Sequence, residues 1–108
     1  MESQEEPKYV DVGSADQVQE GHIIGVSVGE QKLVLCRFAG EIHALDGVCS
    51  HAKGPLCEGQ LDGRYLVCPW HGWEYDVTTG QCEIEPTLAQ KKFAVKLEDG
   101  RVWVSVPD

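Results

Sequence analysis

Two Cys–His pairs are the residues of this sequence best suited to chemistry. Cys49 and His51 are separated by one residue, Cys68 and His71 by two, and sixteen residues lie between the pairs. Thiolate and imidazole both bind zinc and iron well. Two compact pairs joined by a medium-length excursion therefore indicate a metal site built from two loops.

Two kinds of metal centre fit these four ligands. One is a single tetrahedral zinc, although the one-residue spacing of Cys49 and His51 is unusual for zinc. The other is a 2Fe–2S cluster in which both thiolates bind one iron and both imidazoles bind the other. Because neutral imidazoles replace two anionic thiolates, such a cluster has a higher reduction potential than an all-cysteine cluster.

The segments around these pairs are typical of short strands separated by turns. Alternating apolar residues and turn dipeptides predict strands over 9–12, 22–28, 32–38, 41–45, 73–77, 92–97 and 101–106, and a hairpin over 60–67 that turns at Asp62-Gly63. There is no long helical period and no internal repeat. The pattern predicts an all-β antiparallel sandwich or small barrel, with the two metal loops at one end.

Length and charge limit the possible functions. The 108 residues form one domain, which we expect to span 8–108 behind a flexible acidic tail over 1–7, with the metal loops within about 46–86. The formal charge of −9 argues against nucleic acid or an anionic membrane as partner. No apolar run could span a bilayer, and residues 1–7 do not resemble a secretory signal, so we expect a cytoplasmic protein.

The two metal loops resemble the signature of the Rieske iron–sulfur family. The similarity lies in Cys49-Ser50-His51 and Cys68-Pro69-Trp70-His71-Gly72, and it continues through 72–76 and 93–104 to cover nearly the whole chain from 9 to 106. It favours the 2Fe–2S cluster over zinc. It implies one Rieske-type cluster, a Rieske-like fold with a cluster-binding subdomain of two loops, and four ligands: Cys49, His51, Cys68 and His71.

Departures from the respiratory members of the family indicate a class. Those proteins carry an extra cysteine in each loop and join the two in a disulfide, whereas the corresponding positions here are Gly54 and Trp70. They also carry a serine that donates to a cluster sulfide, where this chain has Trp73. Losing that donor lowers the potential. The resemblance therefore implies the soluble, low-potential class, near the bottom of a range of about −150 to +300 mV.

The same resemblance assigns residues around the cluster: Gly54, Leu56, Trp70, Gly72, Trp73, Tyr75 and Pro86. The two glycines would let backbone approach the sulfides. Both tryptophans would shield the cluster, with Trp70 alternatively exposed as a partner contact. Tyr75 is either a donor to a cluster cysteine, which would raise the potential, or a packing aromatic. Pro86 would lie in a third loop that covers the cluster.

Five cysteines are an odd number, which argues against a full disulfide framework. Cys36 falls inside a strand, where a small buried apolar residue is expected. Cys57 and Cys82 flank the cluster region and are expected to be free thiols in a reducing cell. His22 and His43 are expected to be ordinary strand histidines rather than ligands.

The resemblance to free-standing Rieske ferredoxins implies an electron carrier rather than an enzyme. The chain would be a monomer that passes single electrons from a flavin-dependent reductase to a terminal oxygenase, such as one that hydroxylates aromatic rings. Alternatives are the small Rieske-like subunit of an assimilatory nitrite reductase, a zinc-stabilised interaction module, and a redox-sensing module. The acidic charge would steer the carrier towards basic partner surfaces.

Overall fold

The structure is a computed structural model that describes residues 8–48, 54–70, 72–85 and 88–106. The predicted tail over 1–7 lies outside these residues. The described part is all-β, as predicted, and its only helical pieces are two short 3₁₀ turns at Ala15–Gln17 and Leu56–Glu58. No helix in the described ranges has the length and apolar character needed to cross a membrane. The strands are β1 Tyr9–Ser14, β2 Ile23–Val28, β3 Gln31–Phe38, β4 Glu41–Asp46, β5 Gln60–Asp62, β6 Tyr65–Val67, β7 Glu74–Asp76, β8 Lys92–Glu98 and β9 Arg101–Ser105.

These strands form two antiparallel sheets. The large sheet has the order β1-β9-β8-β4-β3-β2, and the small sheet has the order β5-β6-β7. Strands β4 and β8 pair only at Ala44–Phe93 and Leu45–Lys92, so the large sheet is held together by a short seam in its middle. Its end strands β1 and β2 approach each other, which leaves the sheet nearly closed. The predicted sandwich or small barrel is therefore confirmed.

Strand β3 is buried on both faces and separates two cores. Leu33 and Leu35 point into a core shared with β9, whereas Val34 and Cys36 point into a core shared with the small sheet. All four side chains are at most 1% exposed. Each fully buried leucine or valine contributes about 1.5–3 kcal/mol to folding. A continuous apolar run is the pattern expected of a strand covered on both sides.

Turn residues connect the strands of the hairpins, mostly as predicted. Ala39-Gly40 and Asp99-Gly100 both have positive φ at each residue, which suits a two-residue hairpin turn. The turn between β5 and β6 differs from the prediction by one residue. Asp62 pairs with Tyr65, so the loop is Gly63-Arg64 rather than Asp62-Gly63. The reason is that Gly63, with φ +60°, takes the first loop position, where positive φ favours glycine.

Candidate metal centre

The first ligand loop leaves β4 through a tightly held turn. The Gly47 N–H donates to the Lys32 carbonyl at 2.9 Å, and the Asp46 carboxylate accepts from the Val48 N–H at 2.9 Å. A β-carbon on Gly47 would lie 3.1 Å from the Lys32 backbone, so this close approach favours glycine. The chain then reaches the predicted ligands Cys49 and His51, which lie outside the described residues.

The end of the first loop returns to the same turn. Pro55 bridges to Val48 as an isolated antiparallel pair, and the Leu56 N–H donates to the Gly47 carbonyl at 2.9 Å. The Leu56 side chain is fully buried in the core beneath the small sheet. The two ends of the first loop are thus pinned to each other, and Leu56 anchors the loop to the core.

The second loop closes on Cys68, the predicted ligand that the structure does describe. Cys68 follows β6 directly and its side chain is fully buried. Its N–H donates to the Trp73 carbonyl at 2.8 Å, and its carbonyl accepts from the Gly72 N–H at 2.9 Å. Gly72 has φ +73°, which completes a tight turn. His71, also a predicted ligand, lies outside the described residues.

A buried thiol at the mouth of a tight turn suits a metal-binding thiolate. No three His, Cys, Asp or Glu side chains converge on a metal-sized site within the described ranges. Of the four predicted ligands, those ranges contain Cys68 alone. Its burial and its short closed loop fit a ligand that a metal would hold in a water-poor environment.

The aromatic side chains near this loop differ in exposure. Tyr75 is fully buried in the core that contains Cys68 and Cys82, and Trp73 is half-buried against the same core. Trp70 is 57% exposed. A β-carbon on Gly54 would lie 2.9 Å from Trp70 Cδ2, so the indole covers Gly54. Gly54 therefore makes room for an indole, a role beyond the expected backbone approach to the sulfides.

The third predicted loop is described only at its ends, and Pro86 lies outside the described residues. The Glu85 N–H donates to Cys82 Sγ at 3.4 Å, and the Leu88 N–H donates to the Glu85 carbonyl at 2.9 Å. Ile84, between them, is 56% exposed. The segment around Pro86 therefore begins and ends against the fully buried part of the core.

The remaining cysteines are placed as expected. None of the described cysteines, namely Cys36, Cys57, Cys68 and Cys82, forms a disulfide. Cys36 is completely buried, and burial raises the pKa of its thiol to about 12. Such a thiol is not ionised at neutral pH and acts as a small apolar residue.

The two additional histidines are also placed as expected. His22 is exposed beside β2. His43 lies on β4, where its Nδ1 is 3.1 Å from Lys92 Nζ. Lys92 also donates to the Thr78 carbonyl at 3.1 Å. His43 therefore participates in a contact between β4, β8 and the turn after β7, which is a structural role.

Sequence reasoning missed two polar residues that support the small sheet and its loops. Asp76 is 9% exposed and accepts hydrogen bonds from both the N–H and the hydroxyl of Thr78, with Arg64 Nε 3.3 Å away. Burial raises the pKa of Asp76, but these partners outweigh burial and lower it. Gln90, 2% exposed, is the other. The Asp-x-Thr pattern at 76–78 was a usable signal for a turn, whereas nothing in the local sequence distinguishes Gln90.

Charge is distributed unevenly along the sequence. Residues 46–86 contain seven carboxylates, against Lys53 and Arg64, so they carry −5 of the total −9. Residues 88–106 contain four basic residues and two acidic ones, a net +2. The part of the chain that carries the metal loops is therefore net acidic, whereas the segment that follows it is net basic.

Comparison with known families identifies the chain. The sequence profile described as "Rieske [2Fe-2S] domain" matches residues 8–102. The chain belongs to the Rieske [2Fe-2S] domain family. Membership implies a 2Fe–2S cluster and sets aside the zinc alternative.

Rieske proteins of known role are similar to most of the chain. The "Naphthalene 1,2-dioxygenase/salicylate 5-hydroxylase systems, ferredoxin component" of Ralstonia sp is 34% identical over 99 residues, which are 91% of this chain and 95% of the relative. The structure of Sphingomonas yanoikuyae B1 ferredoxin has a TM-score of 0.84 and 27% identity, over 93% of this chain and 100% of that one. A chain of the "Complex of reduced oxygenase and oxidized ferredoxin in carbazole 1,9a-dioxygenase" is also similar, with a TM-score of 0.82 and 32% identity over 90% of this chain and 92% of that one. The Rieske fold thus accounts for nearly all of this chain.

Proposed function

We propose that this Rieske protein is the ferredoxin component of a multicomponent oxygenase system. It carries single electrons from a flavin-dependent reductase to a terminal oxygenase and catalyses no reaction on a substrate itself. Its similarity to ferredoxin components along almost their whole length supports this role. We take residues 8–108 as one domain, active as a monomer in the cytoplasm.

The cluster ligands in this proposal are Cys49, His51, Cys68 and His71. The observation that supports this ligand set is that the described ends of the two ligand loops lie close together. Val48 and Pro55 bridge the ends of the first loop, while Trp70 of the second loop lies over Gly54 of the first. The two Cys–His pairs are therefore attached to neighbouring, pinned stretches of backbone.

The chain's own residues would set the environment of the cluster, which supplies a one-electron redox site. Leu56, Tyr75 and the half-buried Trp73 close the core behind Cys68 and exclude water from that side. A protein sets the reduction potential of a cluster mainly in two ways, by donating hydrogen bonds to the cluster sulfurs and by excluding water. The tight turn at Gly72, with positive φ, keeps the second ligand loop short and close to these three side chains.

Partner docking would use the loop end of the molecule. Each of the three loop regions presents one exposed apolar side chain: Val48, Trp70 and Ile84. The acidic residues of 46–86 surround them in the sequence, with Glu58 and Glu83 exposed. Apolar anchors within an acidic rim suit brief docking to a surface that carries an apolar pocket and basic side chains.

The decisive experiment combines metal analysis with reconstituted electron transfer. Purified protein should contain iron and acid-labile sulfide in equal amounts and give a reduced-state EPR signal with an average g clearly below two. With a flavin-dependent reductase and a terminal oxygenase of the naphthalene-dioxygenase type, it should restore NADH-dependent product formation. A colourless protein without iron would refute the cluster. A red-brown protein that no such pair of partners can reduce or reoxidise would refute the carrier role.

A further inference from the structure

Gln90 is a buried glutamine that connects two regions of the molecule. Its side chain lies between the turn after β7 and the entrance of the first ligand loop, and the residue is 2% exposed. Nε2 donates to the Asp46 carbonyl at 2.7 Å and to the Val48 carbonyl. Because both partners can only accept, the two amide hydrogens are both used and the orientation of the carboxamide is set.

The backbone of Gln90 is held as firmly as its side chain. Its N–H donates to the Gly80 carbonyl at 2.6 Å. A β-carbon on Gly80 would lie 2.3 Å from the Gln90 carbonyl oxygen, and Gly80 has φ +84°, so only glycine allows this approach. The neighbouring Lys91 carbonyl accepts from the Asp46 N–H at 2.8 Å. The backbone of Gln90 is thus fixed to the turn after β7, while its side chain reaches the entrance of the first ligand loop.

The Val48 carbonyl is the informative partner. It belongs to the peptide unit that Val48 shares with Cys49, and that unit is planar. The hydrogen bond from Gln90 to this carbonyl therefore restricts the orientation of the peptide plane that leads into Cys49, the first predicted ligand. The Asp46 carboxylate restricts the same residue from the other side by accepting from the Val48 N–H at 2.9 Å.

We infer that Gln90 is a positioning residue for the redox centre, acting through the Val48 carbonyl on the start of the first ligand loop. The inference rests on the proposed function, because it takes Cys49 as a cluster ligand. A residue that orients a metal ligand without touching the metal tunes both retention and electronic properties of the site. Loss of the two hydrogen bonds would leave the Asp46 and Val48 carbonyls without the Gln90 donor and let the loop entrance sample several orientations.

The test compares three variants of the cluster-loaded protein. Gln90→Met keeps the length of the side chain and removes both donors. Gln90→Asn keeps the amide but is one methylene too short to reach both carbonyls. Gln17→Met makes the same chemical change as the first variant at an exposed residue beside β1, and serves as the control.

We expect Gln90→Met and Gln90→Asn to broaden the lines of the reduced-state EPR spectrum, shift the reduction potential, and lose the cluster about tenfold faster under a chelator. Gln17→Met should match the unsubstituted protein in all three. A residue with a merely structural role would lower the melting temperature and leave the EPR line widths and potential unchanged.

Unchanged EPR spectra and potential in both Gln90 variants would overturn the inference, whatever the melting temperature. If Gln90→Met fails to fold, Gln90→Asn decides alone. Absence of iron and sulfide from the unsubstituted protein would instead refute the proposed function, so the two failures are distinguishable.

Discussion

The indole of Trp70 covers Gly54 so closely that a β-carbon on residue 54 would lie 2.9 Å from indole Cδ2 and 3.0 Å from Cγ. These are the two positions at which respiratory Rieske proteins, by sequence resemblance, carry their disulfide-forming cysteines. The two ligand loops therefore meet at the same pair of positions, with an aromatic contact in place of a covalent bond. This contact is non-covalent and cannot be broken by a reductant.

The first prediction concerns this contact. Gly54→Ala should destabilise the protein by about 1–3 kcal/mol, because a methyl group at 2.9 Å must displace the indole or the loop. Thermal unfolding of the cluster-loaded protein measures the loss, and tryptophan fluorescence reports displacement of the indole. In a Trp70→Ala background the same glycine substitution should cost little. An equal cost in both backgrounds would show that the indole is not the obstacle.

A second prediction separates docking from redox tuning. Trp70 is more than half exposed, so Trp70→Ala should weaken binding to the terminal oxygenase by about 2 kcal/mol, the size expected of an aromatic anchor. Its reduction potential should change little. Titration of oxygenase turnover against ferredoxin concentration measures the first quantity, and a redox titration measures the second.

Leu97→Ala provides the matched control for Trp70→Ala. Leu97 is also half exposed and apolar, but it lies near the β8–β9 turn, at the end of β8 remote from the seam with β4 that adjoins the ligand loops. It should leave turnover unchanged. Equal effects of the two substitutions would contradict a docking surface at the loop end.

Local sequence patterns predicted most of the fold because they report on single strands and turns. The apolar run Leu33–Cys36 indicated a strand, and the Gly29-Glu30 and Ala39-Gly40 dipeptides located the hairpins around it. The same run could not reveal that alternate residues enter two different cores, since that depends on which sheets pack on each face. Short-range patterns carry no information about that packing.

Long-range polar contacts explain what was missed at the site. The Gln90 side chain contacts the Asp46 and Val48 carbonyls, which are more than forty residues away in the sequence. Residue 54 is favoured as glycine because the Trp70 indole occupies the space that a side chain would need. Neither relationship has a periodic or motif signature. Cys49, His51, His71 and the third-loop Pro86 lie outside the described residues, and the roles of all four ligands, Cys68 included, stay predictions.

The third prediction follows from the environment of His43. Burial lowers the pKa of His43, and the positive charge of Lys92 lowers it further, while Glu41 and Asp76 partly oppose both effects. His43 therefore binds a proton less readily in the folded protein than in the unfolded chain, where its pKa is about 6.5. Stability from this residue is fully present above that pH. As the pH falls further, protonation favours the unfolded chain and the free energy of unfolding decreases, with a slope of at most about 1.4 kcal/mol per pH unit.

His43→Gln should flatten the decline in unfolding free energy between pH 7 and pH 5. Glutamine is neutral throughout this interval and can still accept from Lys92 through its amide oxygen. Urea unfolding at several pH values measures the slope, and comparison with the unsubstituted protein cancels the contribution of the other histidines. His22→Gln makes the same chemical change at an exposed residue and serves as the control. An undiminished slope in His43→Gln would exclude His43 as its source.

The last prediction tests electrostatic steering. Residues 46–86 carry −5 of the net charge, and Glu58 and Glu83 are exposed there. Replacing both with glutamine should slow electron transfer from the reductase several-fold at low ionic strength, because long-range attraction accelerates encounter. The difference should shrink towards zero at about 1 M salt, where the Debye length is about 3 Å.

Asp16→Asn serves as the control and should have little effect. Asp16 lies beside the β8–β9 turn, because the N–H of the adjacent Ala15 donates to the Gly100 carbonyl. Stopped-flow reduction across a salt series measures these rates. If the effect per removed charge is the same for the double variant, which loses two charges, and for Asp16→Asn, which loses one, net charge rather than an acidic docking face controls the encounter.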